Sequence, residues 1–184
     1  KILLEPIGKN TAPAITLSSL IASEIWNDPI LLILSADHKI KNKESFKKAI
    51  EEGLTFAENG RLVTFGITPN GPKTDYGYIE SEEGISAEVN FSNIKRFIEK
   101  PNKNLAEKFL KNKNFAWNSG IFLSKASTIL NELSKYEPQI VDICKKSLSN
   151  NDLDLNFRRI DKEFFKSCPS KSIDVAVLEK TNLG

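Results

Sequence analysis

The sequence predicts an α/β fold with a doubly wound, mostly parallel sheet. Two observations carry this prediction. Short apolar runs of strand length alternate with segments whose apolar residues recur at helical spacing. The connections between them are short, which is typical of consecutive βαβ units. Because such sheets bind ligands outside the carboxyl ends of their strands, polar residues that directly follow a strand are the first candidates for a functional site.

The first elements follow from caps and apolar periodicity. Residues 1–4 are predicted to end a strand, and a helix is predicted from about Thr11 to Trp26, with Asn10 or Thr11 as its cap and Pro13 in its first turn. The run 30–34 is continuously apolar, which predicts a strand buried on both faces.

The remaining elements are predicted in the same way. They are a helix around 46–57 closed by Asn59 and Gly60, a strand at 61–67, a short strand in YGYIE, an extended run over 86–99 stopped by Pro101, a helix at 105–110, a strand at 115–124, two helices around 126–133 and 140–148, and a loop at 149–156. The shortness of that loop indicates a connection within one domain.

Composition excludes several classes of function. With 26 Lys and Arg against 24 Asp and Glu, the net charge of +2 gives no basic field for nucleic acid. No apolar run is long enough to cross a bilayer, so we expect no membrane partner. Cys144 and Cys168 belong to no CxxC pair or Cys/His cluster, which argues against a disulfide framework or structural zinc and favours the cytoplasm.

Two isolated aspartates are candidates for a metal site. Asp37 follows the apolar run 30–34, where a turn or helix cap is the alternative interpretation. Asp174 is also compatible with the first turn of a helix. If the two carboxylates face each other, they suit Mg²⁺, which prefers oxygen ligands. His38 is the only histidine, and without a nearby nucleophile or second histidine it is interpreted as a hydrogen-bonded structural residue.

Three short motifs suit a sugar phosphate, although each is also compatible with an ordinary strand end or turn. In EKP, Glu99 is suited to accept hydrogen bonds from sugar hydroxyls and Lys100 to hold a phosphate. In WNSG, Asn118 offers both a donor and an acceptor. In DYGYIE, Gly77 allows either a bulge or a close approach of ligand to backbone.

Seven motifs in order resemble those of the bacterial mannose-1-phosphate guanylyltransferases, either stand-alone or fused to a type II phosphomannose isomerase. The motifs are EPIGKNTAPAI, SADH, LVTFGITP, YGYIE, FIEKP, WNSGIFL and SIDVAVLEK. The resemblance covers nearly the whole chain. It implies a Rossmann-like, GT-A-like nucleotidyltransferase core with a mixed, mostly parallel central sheet flanked by helices, and Mg²⁺-dependent formation of GDP-mannose from GTP and mannose 1-phosphate.

The resemblance also implies roles for individual residues. Asp37 and Asp174 are expected to bind Mg²⁺ and, with Lys100, to be catalytic; Gly77, Glu99 and Asn118 are expected to contact the hexose and Lys100 its phosphate. The loop 5–13 is expected to contact the guanine and ribose, and Lys180 a phosphate. In that loop the nearest residues are expected to be Asn10, Thr11 and Ala12. Related transferases with another base or hexose, and a non-catalytic nucleotide-sugar-binding module, are the alternatives, and a homo-oligomer is left open.

The chain lacks the family's glycine-rich segment of the form GGxGTRLWPLSR and its C-terminal β-rich region. It also contains no methionine. We therefore expect residues 1–184 to be one nucleotidyltransferase domain, truncated at its N-terminus within a longer polypeptide, and inactive alone.

Overall fold

The computed structural model describes residues 2–84, 91–148, 153–154 and 156–184. It divides into two compact units. The helical unit comprises Lys1–Leu31 and Lys125–Lys180, and the sheet unit comprises Leu32–Ser124 and Thr181–Gly184. Because each unit is assembled from separate segments of chain, no single linker marks a boundary that could be read from the sequence.

The elements, in chain order, are β1 (Ile2–Leu4), α1 (Thr11–Ile25), β2 (Ile30–Ile33), α2 (Lys43–Glu58), β3 (Val63–Ile67), β4 (Tyr78–Ser81), β5 (Ile94–Ile98), α3 (Lys103–Leu110), β6 (Phe115–Lys125), α4 (Ala126–Tyr136), α5 (Pro138–Ser147), β7 (Leu153–Asp154), β8 (Phe157–Arg159), α6 (Lys162–Lys166) and a π-helix (Asp174–Leu178). The predicted helices and the strands at β1, β3, β4 and β6 are confirmed. The predicted loop 149–156 contains β7, and residues 86–90 of the predicted extended run lie outside the described residues.

The helical unit is built around three packed helices. Helix α1 packs against α4 and α5, and α5 packs against α6, so their apolar faces share one core. Leu133 and Phe165 are completely buried in this unit. Beside the helices, β1 pairs in parallel with β8, and β8 pairs antiparallel with β7. No helix of the described residues is both long and apolar enough to cross a membrane.

The sheet unit contains most of a five-stranded sheet in the order β2-β6-β4-β5, with β3 also paired to β6. The α/β class is confirmed. The prediction of a mostly parallel sheet is wrong for β3–β6, β4–β5 and β4–β6, which are all antiparallel. Side-chain alternation is the same in either strand direction, so the apolar pattern does not reveal the direction.

Burial also differs from the prediction at β2. All four of its residues are only half-buried, and the following Leu34 is 50% exposed. Strand β4 is buried throughout and β6 over most of its length, and the aromatic residues of β4 and of the first part of β6 pack with α3. This cluster consists of Tyr78, Ala106, Phe109, Phe115 and Trp117. It supports the sheet directly beside Gly77 and Asn118, which adjoin Tyr78 and Trp117 in the chain.

Candidate functional site

Strand register places three predicted residues side by side at one edge of the sheet unit. Tyr78 of β4 pairs with Ile98 of β5 on one side and with Trp117 of β6 on the other. The residue before Tyr78, Gly77, therefore lies between Glu99 and Asn118. The Asn118 N–H donates to the Gly77 carbonyl oxygen at 2.8 Å. We call Gly77, Glu99 and Asn118 the edge row.

Because Gly77 has no side chain, the side chains of Glu99 and Phe97 fill the space beside its backbone. A Cβ atom at this position would lie 2.8 Å from Glu99 Oε2 and 2.9 Å from Phe97 Cζ. Glu99 and Phe97 therefore cover Gly77 closely, and any larger residue would displace them. The sequence prediction missed Phe97, although its position two residues before Glu99 on a strand places it on the same face.

Lys100 adds a cationic group at the end of the row. Its Nζ lies 3.5 Å from Glu99 Oε1, and its side chain is 64% exposed. The backbone of Lys100 has φ +45°, in the left-handed region that non-glycine residues seldom adopt. An exposed ion pair of this kind contributes little to stability, so the ammonium group can exchange its carboxylate contact for a phosphate at small cost.

Asn118 is oriented by a tight local turn. Its Oδ1 accepts a hydrogen bond from the Gly120 N–H at 3.1 Å, and Gly120 has φ +70°, which glycine adopts without strain. A Cβ atom on Gly120 would lie 3.6 Å from Ser35 Oγ. The turn after β2 therefore approaches the edge row within the sheet unit, and Asp37 is exposed in that same turn. His38 is exposed too.

An aromatic pair flanks the edge row and was not predicted. The rings of Tyr76 and Trp117 meet edge to face, with centroids 5.2 Å apart, and Tyr76 is 46% exposed. The Trp117 indole N–H is buried and has no hydrogen-bond partner among the described residues. Each ring directly precedes an edge-row residue, Gly77 or Asn118, and this adjacency is the sequence signal from which the pair could have been predicted.

In the helical unit, the predicted nucleotide-binding loop is fixed at the start of α1. Asn10 has φ +67°, and its side chain accepts from the Thr11 N–H at 2.8 Å. Thr11 Oγ1 in turn accepts from the Ile173 N–H at 2.9 Å. Ala12 is completely buried, and its N–H donates to the Lys171 carbonyl oxygen at 3.0 Å, so this amide is already satisfied.

The two candidate metal ligands belong to different units. Asp37 is in the sheet unit, and Asp174 is the first residue of the π-helix in the helical unit. The Asp174 carbonyl oxygen accepts from the Glu179 N–H at 2.9 Å. Within the described part of the chain, no three or more His, Cys, Asp or Glu residues form a metal-binding group. The shared magnesium site therefore stays a prediction.

Lys180 has a structural partner that the sequence did not reveal. Its Nζ donates to Glu137 Oε1 at 2.9 Å, and Lys171 Nζ donates to both carboxylate oxygens at 2.8 and 2.7 Å. Burial alone would raise the pKa of Glu137, but the hydrogen bonds and charges of the two lysines outweigh it and hold the pKa below its usual value. Any phosphate at Lys180 has to compete with this carboxylate.

Comparison with known proteins gives a consistent family. A family model described as nucleotidyl transferase matches residues 1–164. The chain is 45% identical over 184 residues to a mannose-1-phosphate guanylyltransferase from Escherichia coli strain K12 and 46% identical to a putative one from Vibrio cholerae, covering 98% and 100% of this chain. It spans 38% and 39% of those relatives' own lengths.

The fold agrees with a solved structure as well. A crystal structure of mannose-6-phosphate isomerase from Helicobacter pylori superposes with a TM-score of 0.86 at 35% identity. The match covers 98% of this chain and 68% of that one.

Proposed function

The chain belongs to the nucleotidyl transferase family, and from this premise we propose that it supports transfer of a guanylyl group from GTP to mannose 1-phosphate, giving GDP-mannose and pyrophosphate. The names of the relatives support this choice of base and hexose. The observation that carries the proposal is the edge row, where the Glu99 carboxylate and the Asn118 amide lie on either side of Gly77, beside the exposed ammonium group of Lys100.

The edge row suits a hexose 1-phosphate. Glu99 accepts hydrogen bonds from sugar hydroxyls, and Asn118 both donates and accepts. Gly77 has no side chain, and this leaves room for the Glu99 carboxylate to lie directly over its backbone. Lys100 pairs with the phosphate as a point charge with three donors. In this arrangement, the row binds the hexose and Lys100 orients its phosphate.

The reaction itself is an in-line displacement. An oxygen of the sugar phosphate attacks the α-phosphorus of GTP, a new P–O bond forms, and the bond to pyrophosphate breaks. No covalent intermediate with the protein is required, so the side chains act by positioning and by offsetting negative charge. Asn10 and Thr11 are proposed to contact the guanine and ribose. Ala12 is proposed only to support them, because its N–H is already bonded to the Lys171 carbonyl oxygen and its carbonyl oxygen to the Thr16 hydroxyl.

A divalent metal ion fits the donor chemistry of this chain. Asp37 and Asp174 are each proposed as a ligand of Mg²⁺, which prefers carboxylate oxygens and completes its shell with water and phosphate oxygens. When bound, the ion would offset the charge on the phosphates. The two described cysteines are free thiols, which suits the reducing cytoplasm as the place of the reaction.

The substrate assignment is tested by turnover of the full-length protein. Mannose 1-phosphate is offered with each nucleoside triphosphate in turn, and pyrophosphate release is measured. We expect GTP to give the fastest turnover. Comparable or faster turnover with UTP or dTTP would instead identify a related transferase with another specificity.

Neutralising the proposed metal ligands tests whether the protein is an enzyme at all. We expect Asp37→Asn and Asp174→Asn each to lower kcat by about 10²-fold or more, by analogy with the loss of one charge-stabilising group. Asp142→Asn, which removes only an exposed ion pair with Lys146, is the matched control and should leave kcat unchanged. A non-catalytic binding module would keep its biological effect in all three variants.

A further inference from the structure

Glu137, Lys171 and Lys180 form a charged cluster in the helical unit, which we call the Glu137 cluster. Glu137 connects α4 to α5, and its side chain is only 10% exposed. Lys171 Nζ donates to both carboxylate oxygens, at 2.8 and 2.7 Å, whereas Lys180 Nζ donates to Oε1 alone, at 2.9 Å. Two ammonium groups against one carboxylate leave a net charge of +1, so the cluster has one cation more than Glu137 needs.

The two lysines are bound to Glu137 unequally. Both side chains are partly exposed, 41% for Lys171 and 38% for Lys180, so solutes have access to either. Lys171 alone satisfies both oxygens of the carboxylate, and its backbone carbonyl oxygen is held by the Ala12 N–H. The Lys180 backbone is fixed as well, because its carbonyl oxygen accepts from the Tyr136 hydroxyl at 2.8 Å. The Lys180 ammonium group can therefore leave Glu137 by side-chain rotation, without leaving the buried carboxylate unpaired.

We propose that Glu137 is a positioning residue for phosphate binding: it holds Lys180 in the unliganded protein and releases it to a diphosphate group of GTP or of the pyrophosphate product, while Lys171 stays on Glu137. This inference rests on the proposed function for the identity of the phosphate compound. The role goes beyond a contact between Lys180 and a phosphate, because it makes that contact reversible and assigns the reversal to a buried carboxylate.

The charge of Glu137 sets the direction of the effect. Burial alone would raise the pKa of Glu137, but the two lysines outweigh it and hold the pKa below its usual value, so the carboxylate is negative at neutral pH. When Lys180 turns to a phosphate, it exchanges one charge-assisted hydrogen bond for another. The negative charge of Glu137 then competes for Lys180 and repels the phosphate. Glu137 should therefore weaken the binding of pyrophosphate and favour its release.

Pyrophosphate binding to the full-length protein tests the sign of this effect. Isothermal titration calorimetry gives the Kd of inorganic pyrophosphate for the unmodified protein and for Glu137→Gln. We expect Glu137→Gln to bind at least about threefold more tightly, because Lys180 loses its competing partner. Asp142→Asn removes the same charge from an exposed pair with Lys146 and should leave Kd within about 1.5-fold. A Kd that rises or stays unchanged in folded Glu137→Gln would contradict the proposal, since a carboxylate that only stabilises the fold gives no reason for tighter binding.

Removing Lys171 tests whether it is the partner that stays on Glu137. In Lys171→Met, Lys180 becomes the remaining cation of the Glu137 cluster, so pyrophosphate should bind at least about threefold more weakly. Adding Glu137→Gln should restore binding at least to that of the unmodified protein, because Lys180 then has no carboxylate of the cluster to pair with. Binding by the double variant that is as weak as in Lys171→Met would show instead that Lys171 itself binds the phosphate, and the proposed division between the two lysines would be wrong.

Lys180→Met tests the exchange while the pair between Glu137 and Lys171 stays intact. We expect this variant to bind pyrophosphate about tenfold more weakly, through loss of one charge-assisted hydrogen bond. An unchanged Kd, or no measurable binding of pyrophosphate to the unmodified protein, would overturn the proposal. These measurements require no turnover, so the two proposals fail separately. The expected shifts in Kd without formation of GDP-mannose would contradict the proposed function alone, and formation of GDP-mannose without those shifts would contradict the exchange alone.

Discussion

The edge row of the sheet unit and residues 10–12 of the helical unit are held in place by different forces. In the edge row, strand register and the missing side chain of Gly77 fix the positions. At residues 10–12, hydrogen bonds to the segment 171–173 fix the backbone, and that segment is anchored in turn by the Lys171–Glu137 ion pair. We therefore expect the edge row to be sensitive to added atoms, and residues 10–12 to lost hydrogen bonds and charges.

The largest expected effect on stability comes from adding one methyl group beside the edge row. Gly66 pairs with Asn118 where the register of β3 and β6 shifts, and a Cβ atom there would lie 2.7 Å from the Cβ of Ala116. Since two strands would have to separate, Gly66→Ala should lower the free energy of unfolding by about 2 kcal/mol. Urea denaturation measures this. Gly71→Ala, where nothing lies within 4 Å, is the control.

Equal unfolding free energies for the two glycine variants would show that β3 and β6 can accommodate the added methyl group at little cost. That outcome would remove the distinction between a row fixed by its backbone and a loop fixed by hydrogen bonds and ion pairs.

Neutralising the buried carboxylate of Glu137 tests whether ion pairs stabilise the segment 171–173 that holds residues 10–12. Glu137→Gln removes the charge that holds Lys171 and Lys180, and we expect a loss of about 1–2 kcal/mol in unfolding free energy. Glu80→Gln in the sheet unit is the matched variant. Its partners Lys95 and Arg96 are more exposed than those of Glu137, so the loss there should be smaller, about 0.5–1 kcal/mol.

The same two carboxylates predict the response to acid. Burial alone would raise the pKa of Glu80 and of Glu137, but hydrogen bonds from their basic partners outweigh it and leave each pKa lowered. As the pH falls, both carboxylates therefore take up a proton at a higher pH in the unfolded chain than in the folded protein. The stabilisation that Glu80 and Glu137 contribute is complete above about pH 5 and is lost as the pH falls through their folded pKa. The free energy of unfolding, measured with urea between pH 6 and pH 3, should therefore decline less steeply with falling pH in Glu137→Gln than in the unmodified protein.

A smaller effect than at Gly66 is expected at Asn10. Asn10→Ala loses the hydrogen bond to the Thr11 N–H and places alanine at φ +67°, which should cost about 1 kcal/mol. Asn10→Gly accepts this backbone and should cost only a few tenths of a kcal/mol. If Asn10 contacts the nucleotide, both variants should raise KM for GTP. A raised KM in Asn10→Ala alone would indicate that only the backbone of residue 10 matters.

Periodicity and caps predicted most helices, because each is a property of adjacent residues. Asn10 and Gly60 mark helix ends in the sequence as they do in the structure. The antiparallel direction of strands in the five-stranded sheet was not predicted, because side chains alternate between the two faces of a strand in the same way in either direction.

Within the candidate site, the sequence predicted residues that belong to local motifs but not residues that act through long-range contacts. Gly77, Glu99 and Asn118 were found from short motifs and one family resemblance. Phe97 was missed because its role depends on how β5 pairs with β4. The Glu137–Lys180 ion pair joins distant residues, and no spacing rule along the chain predicts it.

The most direct test of the edge row compares Gly77→Ala with Gly71→Ala in the full-length protein. The new Cβ of Gly77→Ala would displace Glu99, so KM for mannose 1-phosphate should rise about tenfold or more, a loss of about 1.4 kcal/mol, while KM for GTP stays within about twofold. Gly71→Ala should change neither. An unchanged KM for mannose 1-phosphate in a folded Gly77→Ala protein would contradict the assignment of the edge row to the sugar.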